Sequence, residues 1–350
     1  MQQLDDPADI TSGDLKPVSG GLVSGHACKS AAFRWKAERV ALSAADGYPI
    51  VGIRYATSAP ARANLIVAGA TGVPQRFYRR FAKFAASSGY STMTLDYRGI
   101  GLSAPATLRG FKTDYLDWGR LDLAAAVDAM SSPNVPLYIV AHSYGGHAFG
   151  LLPNHERVAR LYAFGTGAGW HGWMPPLERI KVLAMWHLLG PLLTKWKGYL
   201  SWSVLGMGED LPLDFYRQWK HWCRYPNYFF GDPSMQHLAA DFARVRTPIM
   251  AANSTDDRWS PPRSRDAFMV GYRNAMPQTL DIDPKQFGLP AIGHMGYFKP
   301  NATALWEAAL RWLDAGRTCQ TRAIDLRDRV RPQALVAARS SSTSSWLKVQ

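Results

Sequence analysis

Apolar and polar positions change period several times along the chain. The run "AERVALSAADGYPIVGIRYAT" predicts two strands joined at Asp46-Gly47, a dipeptide suited to a tight hairpin. "ANLIVAGATG" is a continuous apolar run ending in glycine, and it predicts a third strand. In "QRFYRRFAKFAASSG", Phe77, Phe81 and Phe84 recur at helical spacing and Gly89 follows as a stop. "YSTMTLDYRGIGLS" predicts another strand leading into a glycine-rich loop, and a helix is expected over roughly 114–130. "LYIVAHSYGGHAFG" then drives an apolar strand into a serine hemmed by small residues, with helix-like sequence beyond.

The alternation continues through "ARLYAFGTG", "RTPIMAANST", a helix near "PPRSRDAFMVGY", a short strand "QTLDI" and a helix around "NATALWEAALRWL". After the initial hairpin this is a β-α-β-α rhythm. It predicts an α/β fold whose mostly parallel sheet carries helices on both faces. Residues 167–243 break the rhythm: they are helix-like, loop-rich and hold seven of the thirteen tryptophans. We read them as an inserted helical block, a lid, between two parts of a core at 35–166 and 244–315. Residues 1–34 and 316–350 read as flexible terminal segments.

Composition changes this picture little. With 350 residues, 47% of them hydrophobic, the chain can bury a large core. Its net charge of +13 would suggest an acidic partner, but residues 317–350 hold seven Lys/Arg against two Asp beside "RSSSTSSW". No basic recognition motif accompanies the charge, so no nucleic-acid partner is expected. Cys28, Cys223 and Cys319 are too few and too scattered for a disulfide framework or a zinc site. "MQQLDDPADI" has neither the basic start nor the apolar stretch of a secretory signal, and a cytoplasmic location is the expectation.

The chemistry centres on Ser143. A strand-to-helix turn sharp enough to expose a side chain strains its central residue and requires small neighbours two positions away. Ala141 and Gly145 occupy those positions, with Gly146 beyond. A serine capping the next helix would look similar, so the partners matter. A serine hydroxyl needs a base, and the base needs a carboxylate to fix its tautomer. "TPIMAANSTDDRWSPP" offers Asp256 and Asp257 after an apolar run, and "AIGHMGYF" offers His294 between glycines. The order Ser, acid, His follows.

With these motifs the sequence resembles the α/β-hydrolase superfamily, near its serine aminopeptidase-like and monoglyceride-lipase-like bacterial members. The resemblance runs over roughly residues 38–315 through "LDYRGIGLS", "VAHSYGG", "DDRWSPP" and "GHMGYF". It departs at Ala141, where the elbow usually has glycine, and at "AGATG", where many relatives carry His-Gly-x-Gly. The resemblance implies an ester-, thioester- or amide-cleaving enzyme with no metal or other cofactor. It implies Ser143 as nucleophile and His294 as base, with the acid four residues before a proline, which selects Asp257. The oxyanion donors would be the backbone N–H of Tyr144 and that of Ala70 or Thr71. Asp96 resembles a residue that orders its loop.

The aromatic block favours an apolar acyl or aromatic substrate. Trp170, His171, Trp173 and, in the acid loop, Trp259 are candidates for the pocket wall. His142 and His147 read as packed structural groups. Arg179, Lys181, Lys195 and Lys197 fit either a solvated helix face or weak contact with an anionic membrane surface. An ester hydrolase is the leading expectation. An aminopeptidase would use Glu178, Glu209, Asp210 or Asp214 to hold an ammonium group, and a thioesterase or acyltransferase would keep the triad with another acceptor. Oligomeric state is left open.

Overall fold

The computed structural model describes residues 33–206 and 208–315. Its strands are β1 (Trp35–Ser43), β2 (Pro49–Thr57), β3 (Ala63–Ala68), β4 (Tyr90–Asp96), β5 (Leu137–His142), β6 (Val158–Phe164), β7 (Ile249–Ser254) and β8 (Gln278–Ile282). They form one sheet in the order β1-β2-β4-β3-β5-β6-β7-β8. The β1-β2 and β2-β4 pairs are antiparallel and the remaining pairs parallel. The expected α/β class is the observed one. The segments expected to be flexible, 1–34 and 316–350, lie outside the described residues except for residues 33 and 34.

Local chemistry explains the elements. At the β1-β2 turn Gly47 takes φ +84°, and the Asp46 carboxylate accepts the Tyr48 N–H. Strands β3, β4 and β5 are buried at every position, as continuous apolar runs in a doubly covered sheet must be. One face is covered by α1 (Arg79–Ser87) and a last helix beginning at residue 303, through Phe81, Ala85, Leu305 and Trp306. The other carries α2 (Ala124–Met130), α3 (Tyr144–Phe149) and α8 (Pro262–Met269), the numbers between them belonging to the β6-β7 connection.

The helix expected over 114–130 starts later. Asp114 and Asp117 draw nearby backbone N–H groups into a turn, and a π-type turn over Trp118–Leu123 precedes α2. Likewise Pro74 opens a 3-10 turn, Gln75–Tyr78, before α1.

Four alanines stand side by side across the sheet. Ala68 pairs with Ala141, Ala141 with Ala163, and Ala163 with Ala251. Helix α3 presses on the Ala68 end of this row: a side-chain carbon at Gly145 would lie 2.2 Å from the Ala68 carbonyl oxygen. The same carbon at Gly146 would lie 2.2 Å from Thr166 Oγ1.

Between β6 and β7 the chain adds α4 (Pro176–Ala184), α5 (Gly190–Lys197), α6 (Leu213–Trp222) and α7 (Gln236–Arg244) and, among the described residues, no strand of the sheet. Trp202 of this connection packs on Gly72, and Glu209 N–H donates to the Gly72 carbonyl over 2.8 Å. It thus closes over the loop that follows β3.

Candidate active site

Ser143 joins β5 to α3 at φ +49° and ψ −108°, a region that non-glycine residues avoid. Phe164 and Thr166, at the end of β6 and just beyond it, hold the strain. Ser143 N–H donates to the Phe164 carbonyl over 2.8 Å, and Thr166 Oγ1 donates to the Ser143 carbonyl over 2.8 Å. With nothing larger than glycine at 145 and 146, α3 can seat deeply and leave the Ser143 hydroxyl at the strand tip.

His294 reaches that hydroxyl from the loop after β8, with Nε2 3.1 Å from Ser143 Oγ. Its Nδ1 lies 2.9 Å from Asp257 Oδ2, in the loop after β7. Asp257 is buried, and burial alone would raise its carboxyl pKa. The neighbouring His294, the Ser260 N–H and the Tyr297 hydroxyl outweigh that and hold it below the usual carboxylate value. An ionised Asp257 accepts the Nδ1 proton, which leaves the Nε2 lone pair facing Ser143.

The two carboxylates of the acid loop therefore differ in task. Asp256 points the other way and accepts Ile292 N–H over 2.9 Å and Gly293 N–H over 2.8 Å. It ties down the turn that carries His294. Asp96 is buried between two loops, accepting from Gln75 after β3 and from Leu102 after β4.

Beside Ser143, the candidate backbone donors separate. Ala70 N–H is donated to the Tyr78 hydroxyl over 2.8 Å, which removes it from the choice. Thr71 N–H and Tyr144 N–H have no acceptor among the described residues. Tyr115, which the sequence did not single out, positions both. Its hydroxyl bonds Thr71 Oγ1, its carbonyl accepts from the Tyr144 hydroxyl over 2.5 Å, and its ring stacks on that of Tyr144.

His142 and His147 are buried and neutral, burial taking each down to about 3. His142 bridges Tyr78 and the His294 carbonyl, and His147 bonds the Gly167 carbonyl.

A cavity of about 720 Å³ opens from Ser143 and His294. The β6-β7 connection supplies Met174, Val182, Trp186, Trp202, Trp219 and Cys223 to its wall. Burial pushes the Cys223 thiol far above its ordinary value, so it stays protonated at neutral pH. Of the expected pocket residues only Trp259 lines this cavity; Trp173 lines a separate recess with Glu178 and Asp257. Trp170 and His171 line neither. Trp170 packs edge-on against Trp173, whose Nε1 donates to the Pro226 carbonyl. Aromatic density did not say which side of the segment would face the serine. Toward solvent the cavity is lined by Arg76, Arg79, Arg80 and Lys299. None of Glu178, Glu209, Asp210 and Asp214 lines it. Among the described residues no three His, Cys, Asp or Glu side chains come together as a metal site.

A model of the alpha/beta hydrolase family matches residues 65–308, which span the sheet from β3, the elbow and both loops. The chain belongs to that family. Solved structures similar to this hydrolase include a soluble variant of the Saccharomyces cerevisiae monoglyceride lipase in complex with a substrate analogue. It is 16% identical, with 84% of this chain and 99% of that one covered and a TM-score of 0.55. DcsB in complex with its substrate analogue is also 16% identical, with 80% and 99% covered and a TM-score of 0.55. A Pyrococcus furiosus esterase is 13% identical, with 84% and 95% covered and a TM-score of 0.53. No curated protein matches the sequence of this hydrolase.

Proposed function

We propose that the protein is a serine hydrolase that cleaves carboxylic esters of apolar acyl or aromatic acids through an acyl-enzyme. One observation carries the reading: a strained Ser143 has its oxygen 3.1 Å from His294 Nε2, and His294 Nδ1 lies 2.9 Å from buried Asp257. In this reading Ser143 Oγ attacks the ester carbonyl carbon while His294 takes its proton. The tetrahedral oxyanion sits against Thr71 N–H and Tyr144 N–H, and collapse expels the alkoxide, which His294 protonates. Water then repeats the sequence on the acyl-Ser143 ester and releases the acid. The acyl group lies among Trp186, Trp202 and Trp219, with the 167–243 block acting as a lid.

A second reading changes only the leaving group. Arg79, Arg80 and Lys299 at the cavity opening, beside an Arg76 paired with Glu209 over 2.6 Å, favour a thioester or ester whose leaving group is anionic. The same excess of cations disfavours an aminopeptidase, because Glu209, the acid of that set beside the opening, is already paired with Arg76.

The test is labelling with a fluorophosphonate, with peptide mapping, on wild type, Ser143→Ala and His294→Ala. Label on Ser143 that disappears in both variants supports the reading. A folded wild type that neither takes label, including a small phosphonate, nor hydrolyses short acyl esters would sink it. Matched acyl chains on neutral and anionic leaving groups then separate the two forms.

A further inference from the structure

Residues 176–197 form one unbroken helix, α4 and α5 joined by a π-type turn over Met185–Leu189. At 1.5 Å per residue it is about 33 Å long. Its inner face is buried through Val182, Met185 and Trp186, and two of these, Val182 and Trp186, form cavity wall. Its outer face is apolar as well. Leu177, Ile180, Leu188, Leu192 and Trp196 are each 59–64% exposed. With Ala184 they follow one another three or four positions apart, so they form a single stripe along the helix.

A helix on a protein surface ordinarily turns polar residues outward, and a continuous exposed apolar stripe marks a partner. The flanks identify its chemistry. Arg179, Lys181, Lys195 and Lys197 border the stripe, and Glu178 is the one acid within residues 176–197. The Glu178 carboxylate accepts from Trp259 Nε1 and lies 3.5 Å from Lys181 Nζ, and the three remaining cations leave the helix positive. Trp196 stands at the end of the stripe with Lys197 Nζ 4.1 Å from its ring centre, an indole and ammonium pairing suited to the headgroup zone of a bilayer. A second copy would bring the same cations against these, so like charges oppose self-association here. Among the described residues no helix is long and apolar enough to cross a membrane.

We propose that this stripe lies in the surface of a bilayer containing anionic lipid, with the helix parallel to the membrane plane. The leucines and Trp196 enter the acyl boundary, while the basic side chains meet phosphate groups. Because the opposite face of the helix is cavity wall, the docked protein holds its acyl cavity directly over the lipid. That selects a membrane-borne acyl lipid as substrate. This last step rests on the hydrolase reading; docking itself does not.

The test is flotation of the full chain with phosphatidylcholine vesicles, with and without phosphatidylglycerol, at low and high salt. Wild type is expected to float with the anionic vesicles at low salt. Leu188→Asp/Leu192→Asp and Lys195→Glu/Lys197→Glu are each expected to lower partitioning at least tenfold. Their circular dichroism and hydrolysis of a short soluble ester are expected to match wild type. Wild type left unbound by anionic vesicles overturns the proposal, as does flotation that neither variant weakens. Light scattering that shows a dimer broken by Leu188→Asp/Leu192→Asp also overturns it, by making a second copy the occupant. Flotation without fluorophosphonate labelling would instead remove the hydrolase reading and leave the docking surface standing.

Discussion

The hydroxyl of Tyr78 lies 3.0 Å from Nδ1 of His142, and through this contact the loop after β3 is tied to the loop that bears His294. The direction of each bond follows from chemistry. The His294 carbonyl can only accept, so His142 Nε2 carries the proton it donates over 2.8 Å. His142 Nδ1 is then the acceptor, Tyr78 donates to it, and the Tyr78 oxygen receives Ala70 N–H. The ring is neutral because burial takes His142 down to about 3. Tyr78→Phe would break the relay at both ends without touching substrate. It is expected to cost about 1–3 kcal/mol of stability, from the stranded Ala70 N–H and His142 Nδ1. Turnover of a short ester is expected to fall about tenfold or more with KM nearly unchanged. Urea unfolding and steady-state kinetics read the two effects.

Asp256 and Asp257 are adjacent in sequence yet separable by experiment. Asp257→Asn would favour the wrong tautomer of His294, and kcat is expected to fall on the order of 10⁴-fold. Asp256→Asn keeps the tautomer and weakens the two bonds from Ile292 and Gly293. Its loss is expected to be smaller, roughly tenfold, with a lowered thermal midpoint. Rates of fluorophosphonate labelling on the two variants give the comparison.

The elbow makes a prediction about methyl groups. Gly145→Ala and Gly146→Ala would each drive a carbon to 2.2 Å from a neighbouring oxygen, so both are expected to abolish labelling or prevent folding. Ala141→Gly removes a methyl the site already holds, and a loss of about 1 kcal/mol is expected. Soluble yield, circular dichroism and label uptake distinguish these outcomes.

Two buried histidines set an acid limit to stability. His142 and His147 are held at about 3 by burial, whereas in the unfolded chain a histidine titrates near its usual value of about 6.5. Between those values the unfolded state binds more protons, so stability falls as pH drops from about 6.5 toward 3. Each histidine contributes up to about 1.4 kcal/mol per pH unit in that window. Urea midpoints between about pH 6.5 and 5 are expected to decline less steeply in His147→Gln than in wild type. Equal slopes would show that His147 does not carry this proton uptake.

Much of the frame was legible because its signals are local. A hairpin dipeptide, apolar runs ending in glycine, and a serine, an aspartate and a histidine near successive strand ends each fit within a dozen residues. What the sequence hid depends on contacts between distant segments. Nothing near Tyr115 marks it as the anchor of both Thr71 and Tyr144. Ala70 and Thr71 were indistinguishable until the Tyr78 hydroxyl, eight residues on, was seen to take the N–H of the first. Trp170, His171 and Trp173 looked like pocket because they are aromatic and clustered. The cavity instead uses Trp186, Trp202 and Trp219, which come together only when the helix over 176–197, the turn at Trp202 and α6 have packed.

The row Ala68, Ala141, Ala163 and Ala251 bears on how this site can change over time. Each alanine belongs to a different strand, and three of them lie far from Ser143 in sequence. Ala68, paired with Ala141, lies directly under the elbow helix at Gly145, and a larger side chain there would lift it. The distance between Ser143 and His294 is therefore hostage to substitutions at positions that take no part in the reaction. Variation in such a chain should be freest in its aromatic wall and most confined among its smallest side chains.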